Sequence, residues 1–415
     1  MDKEFKKKLI DAVKYVMEYD IEDEEEKKSK NNNRGYSFIS TANDSVNTSS
    51  VDDNWSEEDK KRFSQFIKKL REREEVKYSS NKLKEKKLLI ELVEYLLHIY
   101  NNDSPFNLSP SEIERYLFDR ENNAINSEIL YVFRRLETDM AGVSFDGIYL
   151  KHMMFTGLKN VTINLDKIID KDLRHCSFKE VNFIGSFDNC KLYFTRFEDC
   201  TSESRLDLQT VNDGLVTGVK FGNMKVFGST DGMDIGYADF SNVDGDIYIN
   251  PQKLVDKNLD TINFCNCFIV GDDKDSEPSF NGCRINHSSF KGSRNSVTIN
   301  INELRSPSSF NPTCKLDFVN LTGVTLIGDI TLGGQDDVKA KDVLSDCSLE
   351  YNGKSYNYFN VEDPETYGNC PDIKINIHRE KTPFLDQRVE VPVLGGKCTR
   401  SRKEIIQGWI KDHLL

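Results

Sequence analysis

Residues Ile163–Phe183 read INLDKIIDKDLRHCSFKEVNF, and residues Ile249–Ile269 read INPQKLVDKNLDTINFCNCFI. The two segments align without a gap. Within each, large apolar side chains step by five: Ile163, Ile168, Leu173, Phe178 and Phe183, then Ile249, Leu254, Leu259, Phe264 and Ile269. Five matches neither the helical period of 3.6 nor the strand period of 2. Outward from these blocks the step recurs in Phe145, Leu150 and Phe155, in Phe187, Leu192 and Phe197, in Phe280, Ile285 and Phe290, and in Leu316, Leu321 and Leu326. Val161-Thr162-Ile163-Asn164 returns as Val297-Thr298-Ile299-Asn300. Two residues before many of the large positions stands a small or modest one, as in Cys176, Val181, Cys190, Thr195, Cys267, Cys283 and Ser288. A five-residue unit with one large and one small inward side chain cannot close a core alone; winding the chain and stacking its turns buries both columns. Residues 201–217 and 271–276 fit the period poorly and are expected to be extruded loops.

These residues resemble the pentapeptide-repeat family over roughly the span Gly142 to Leu332, with Phe, Cys, Val and Ser in place of the common Ala-(Asp/Asn)-Leu form. The resemblance implies a right-handed quadrilateral β-helix with the large residue of each unit packed inside. Some members of that family present an acidic, rod-like surface similar to duplex DNA and bind type II topoisomerases.

The flanks read differently. Phe5, Leu9, Ile10, Val13, Val16 and Met17 form the apolar stripe of an amphipathic helix, and residues 21–54 are too polar to offset the entropy of ordering. Phe63, Phe66, Ile67 and Leu70 supply a second stripe, and Leu83 to Tyr100 a further helix. Ser109, Pro110 and Glu112 place a cap, an N1 proline and a capping-box glutamate in order, opening helical sequence that breaks near Asn122 and ends near Leu136. Past the repeats, Leu349 to Tyr356 centres on Asn352-Gly353, a two-residue hairpin signal, and Ile405, Ile406, Trp409, Ile410 and Leu414 stripe a C-terminal helix. The expected architecture is mainly β. It comprises an amphipathic helix (1–20), a disordered linker (21–54), an α-helical domain (55–139), a pentapeptide-type β-helix (140–345) and a hairpin-and-helix cap (346–415).

The chain has 415 residues and a formal charge of -13, which opposes direct binding to a phosphate backbone. No apolar run suits a membrane span or a signal peptide, so a cytoplasmic protein is expected. The ten cysteines follow the repeat and form no Cys-x-x-Cys pair, so they read as reduced core thiols. His175 beside Cys176 is the closest approach to a Cys/His pair, yet Cys176 falls at an inward position and its neighbour should point out. Cys398, near Lys397 and Arg400, lies outside the repeat; it supports the minor reading of a secreted effector enzyme with a cysteine nucleophile. Asp272, Asp273, Asp275 and Glu277 lack the glycine and the final glutamate of a calcium loop, and Gly333-Gly334-Gln335-Asp336 lacks the Lys-Ser/Thr of a phosphate loop.

Asp231, Asp234, Asp239, Asp244 and Asp246 concentrate acid on the repeat and are the candidate binding residues, although Lys220, Lys225, Arg284 and Arg294 interrupt the charge. No cofactor and no metal are implied. The expected function is therefore non-enzymatic: a rigid scaffold, in a bacterial or phage regulatory or effector protein, that binds a protein partner through the repeat or the helical domain. An acidic DNA mimic that inhibits a type II topoisomerase is the alternative. The C-terminal helix caps the repeat or joins two copies as a homodimer.

Overall fold

The computed structural model describes residues 4–12, 61, 65, 80–273, 276–305, 316–332, 344–345, 347–351, 354–357, 372–379, 388–393, 396–401 and 403–404. The expected linker, most of the helix striped by Phe63 to Leu70, the Asn352-Gly353 turn and the C-terminal stripe lie outside them. Two compact units divide the chain: residues 1–191 with 195–204, and residues 192–194 with 205–415. Helix and strand occupy roughly equal shares, with several parallel sheets, so the chain is mixed rather than mainly β. The reason is local. Most sides of the repeat contribute only two to four residues to a strand, and turns take the rest.

The first unit opens with helical residues 4–12, whose Leu9, Ile10 and Ala12 are buried. Phe5 meets Phe106 at 5.8 Å, Lys6 pairs with Asp103 at 2.8 Å, and Lys8 pairs with Glu137. The amphipathic helix is thus seated on its own unit rather than docked elsewhere. Ser80–Asn102 is a long helix. Pro110–Leu117 starts in the capping box read from sequence, with Ser109 Oγ accepting from the Glu112 amide and the Glu112 carboxylate accepting from the Ser109 amide. After a short antiparallel bridge, Phe118–Asp119 with Ala124–Ile125, the helix Ser127–Arg135 buries Ile129, Leu130, Val132 and Phe133.

From Met140 onward the backbone pairs in parallel with itself. Thr162–Asn164 lies beside Asn182–Ile184, which lies beside Thr201–Ser202; Ser177–Lys179 pairs with Arg196–Glu198. In the second unit Leu206–Asp207, Val226–Ser229, Ile247–Ile249 and Cys267–Ile269 form a four-stranded parallel sheet. Partners in these pairs are 19 or 20 residues apart, for example Thr162 with Asn182 and Ile247 with Cys267, which is four five-residue sides. Later pairs stretch to 27, as in Val297 with Val324. Ser348–Tyr351 and Lys354–Asn357 pair antiparallel, with Tyr351 opposite Lys354.

Inward residues stack on their counterparts in the next parallel segment. Phe145, Phe155, Phe178 and Phe197 follow one another at ring separations of 5.5, 5.3 and 5.6 Å. Phe221 stacks on Phe240 at 5.3 Å, and Phe264 on Phe290 at 4.6 Å. The small positions fill the space between: Cys176, Cys190, Thr195, Cys267, Cys283 and Ser288 are buried, with the Thr195 hydroxyl donating to the Leu173 carbonyl at 2.7 Å.

Residues 201–217, expected to be a loop, instead carry strand, turns and core. Leu206, Leu208, Val211 and Val216 are buried, and Asp207 accepts from the Gln209 amide at 3.0 Å. Asn164, Asn250 and Asn300 make the same side-chain bond to the amide two residues on. Residues 206–226 are therefore a third copy of the opening block, with Leu206 lying 43 residues after Ile163 and 43 before Ile249. The expectation failed because Asp, Gln and Val stand where the other copies have Asn, Lys or Asp, and Ile or Leu.

Phe178 sits flat between Phe155 and Phe197, so Phe178→Ala should remove roughly 3–5 kcal/mol of stability. Urea denaturation followed by circular dichroism checks this, and a loss below about 1 kcal/mol would contradict the packing described.

Candidate functional site

The five candidate acids do not act together. Asp234 accepts from the Gly236 amide and Asp239 from the Ser241 amide, each at 3.0 Å, so both tie down turns. Asp231, Asp244 and Asp246 converge on one cleft of about 940 Å³ in the second unit. Its floor is the outer face of the four-stranded parallel sheet. Strand alternation sends Val226, Ile247, Ile249 and Cys267 inward and leaves Phe227, Tyr248 and Phe268 half-buried on the other face. Tyr248 stacks on Phe268 at 5.3 Å, and the Arg294 guanidinium lies 5.3 Å from the Phe268 ring centre.

Charge in the cleft is paired. Lys253 Nζ meets Asp231 at 3.2 Å, and Arg294 binds Asp246 while donating to the Gly245 carbonyl at 3.1 Å. Arg205 and Lys225 face the cleft from one side, Asp244 and Asp272 complete the acids, and the formal sum of these eight groups is zero. Asn250, buried beneath, donates to the Gly271 carbonyl at 2.8 Å and accepts from the Gln252 amide. Gly245 is obligatory here: a Cβ would fall 1.9 Å from the Val226 carbonyl oxygen, backbone that cannot yield. No combination of Arg205, Asp231, Asp246 and Arg294 is legible in sequence, since only the parallel register brings them together.

A second feature is a ridge at one corner of the repeat. Phe194, Gly218, Tyr237, Thr261, His287 and Phe318 all take positive φ, between 53° and 67°. The amide of each from Phe194 to His287 donates to the carbonyl of the residue just before the next: Phe194 to Thr217, Gly218 to Gly236, Tyr237 to Asp260, Thr261 to Asn286 and His287 to Asp317. Side chains therefore leave the corner in file. The Phe194 ring covers Gly218, where a Cβ would meet it at 2.5 Å, and His287 stacks on Phe318 at 5.2 Å. Tyr237 is 53% and Phe318 55% exposed. Each ridge residue stands three before a large inward one, such as Phe197, Phe221, Phe240, Phe264 and Phe290, a spacing from which it could have been found.

The first unit has the same corner in miniature. His152 and His175 take positive φ and stack at 4.8 Å, and the His152 amide donates to the Arg174 carbonyl. Cys176, beside His175, points inward as expected; its thiol donates to the Leu150 carbonyl at 2.8 Å, and burial pushes its pKa up to about 12. Burial likewise raises Cys190 and Cys283 to about 12 and Cys267 higher still, so these are core thiols. Cys398 lies in Gly396–Ser401, opposite Val391 in an antiparallel pair; its side chain is outside the described residues. Asp272, Asp273 and Glu277 are exposed, and among the described residues no group of His, Cys, Asp and Glu is arranged to hold a metal. No described helix is long and apolar enough to cross a membrane.

Burial lowers the pKa of both stacked histidines, with Lys151 adding to the effect at His152, and His152 and Lys151 adding to it at His175. Asp172 opposes the shift at both. A lowered folded-state value means the unfolded chain binds protons first. Stability is full above the ordinary value of 6.5 and is lost as pH falls from there through the lowered values. The thermal midpoint should drop between about pH 7.5 and about pH 5, and the drop should shrink in His152→Phe/His175→Phe, which keeps the stacked rings without the charge. Scanning calorimetry of both chains checks this; an unchanged drop would show that the pair does not titrate as described. No family model, no curated protein and no solved structure matches the chain.

Proposed function

We propose that the repeats of each unit wind as a right-handed β-helix of the pentapeptide type, and that the chain is a non-enzymatic scaffold that binds a folded protein. The winding is supported by parallel partners four five-residue sides apart and by stacked inward rings. Right-handedness follows from the strong bias of parallel crossovers toward that hand.

One observation carries the binding reading: Tyr237, His287 and Phe318 stand exposed in file on backbone that the amide ladder holds fixed. Rigid aromatic side chains anchor protein interfaces because they bury large area at little conformational cost. Asp260 and Asp317 immediately precede ridge positions, and the chain carries a formal charge of -13, so the fitting partner has a neutral to basic surface with apolar pockets. The DNA-mimic alternative draws less support, since Lys253 and Arg294 compensate Asp231 and Asp246.

The test is retention of a partner from a lysate of the source organism by the immobilised full chain, compared with Tyr237→Ala/Phe318→Ala. Both side chains are largely exposed, so the variant should keep the parental thermal midpoint while binding falls by about thirtyfold or more. A partner held equally well by both chains, or by neither, refutes the ridge as the interface.

A further inference from the structure

The geometry points to a second, separate binding site: we propose that the cleft over the four-stranded parallel sheet holds a neutral oligosaccharide. Three features combine there. The half-buried Tyr248 ring, braced against Phe268, offers a flat apolar platform of the kind on which the C–H face of a sugar ring rests. Asp231 with Lys253, and Asp246 with Arg294, set acceptors beside donors, the arrangement that vicinal hydroxyls satisfy, since each hydroxyl both gives and takes a hydrogen bond. The eight charged groups lining the cleft sum to zero, so nothing in it favours a polyanion or a polycation. A volume of about 940 Å³ is at the upper end for small-molecule sites, and the floor spans four strands spaced about 4.8 Å apart, which suits an oligomer rather than a monosaccharide.

Nucleic acid is the competing occupant, because stacked aromatics flanked by Arg and Lys also bind single strands. Asp244 and Asp272 beside the platform, together with the pairing of Lys253 and Arg294, disfavour phosphates. Acidic saccharides are disfavoured on the same ground.

The experiment is isothermal titration of the full chain with neutral hexasaccharides (cello-, xylo-, manno-, malto- and chito-oligomers), an oligogalacturonate, a heparin hexasaccharide and an oligothymidylate. The expected result is binding of at least one neutral oligomer with an affinity that barely changes with salt. Tyr248→Ala should weaken it about tenfold or more. Asp244→Asn, an exposed and nearly isosteric change, should weaken it measurably without altering the thermal midpoint, and serves if Tyr248→Ala folds poorly. Tyr237→Ala/Phe318→Ala, remote in role from the cleft, should bind the sugar as the parent does, so the ridge and the cleft stand or fall separately. Binding of only the anionic probes, weakening steeply with salt, overturns the proposal, as does neutral binding unaffected by both cleft variants or heatless titrations throughout.

Discussion

Everything in the repeat region depends on inward side chains meeting their counterparts across parallel strands about 4.8 Å apart. Strands of two to four residues make too few backbone bonds to persist alone, so the order must come from the columns they share. Flat rings suit the spacing. Phe155 on Phe178 and Phe178 on Phe197 lie within 20° of parallel, slightly wider than the strands, offset rather than eclipsed. Where two Phe columns meet edge on, as Phe178 and Phe183 do, the core gains lateral contact as well.

The same columns explain the backbone cost tolerated at the corners. A non-glycine residue at positive φ is disfavoured by roughly 1–2 kcal/mol, yet Phe194, Tyr237, Thr261, His287 and Phe318 all adopt it. Turning sharply lets one side end and the next begin within five residues, and the strained amide is met by a carbonyl from the neighbouring turn. Ring stacking outside the corner, as in His152 with His175, returns part of that cost. The fold thus carries two sets of stacked rings, one hidden and one displayed, on the same backbone period.

Much of this was legible. The five-residue step identified Phe145, Phe155, Phe178, Phe197, Phe264 and Phe290, and all are buried. The capping box at Ser109 and the antiparallel pair around Asn352-Gly353 were equally plain, because their signals are local. Residues 206–226 were missed since Asp207 replaces asparagine in the bond that starts each block, and one altered residue hid a gapless copy. The cleft could not be read at all. Arg205, Asp246 and Arg294 belong to different turns, and only the register decides which outward residues are neighbours. Reading Asp231 through Asp246 as one acidic run grouped residues by sequence, whereas the structure splits them between turn-holding and cleft-lining roles.

The blocks that begin at Ile163, Leu206 and Ile249 bear on how such a chain changes length over evolutionary time. Because each starts with the same capped bend and returns every column to its starting side, a whole block is an interchangeable module whose gain or loss leaves the remaining turns in register. A single inserted or deleted residue has the opposite effect, sending every later aromatic toward solvent and every later lysine toward the core. Length variation in this architecture is therefore quantised, and intermediate lengths survive only where the extra residues bulge out at a corner, as the longer interval from Val297 to Val324 allows.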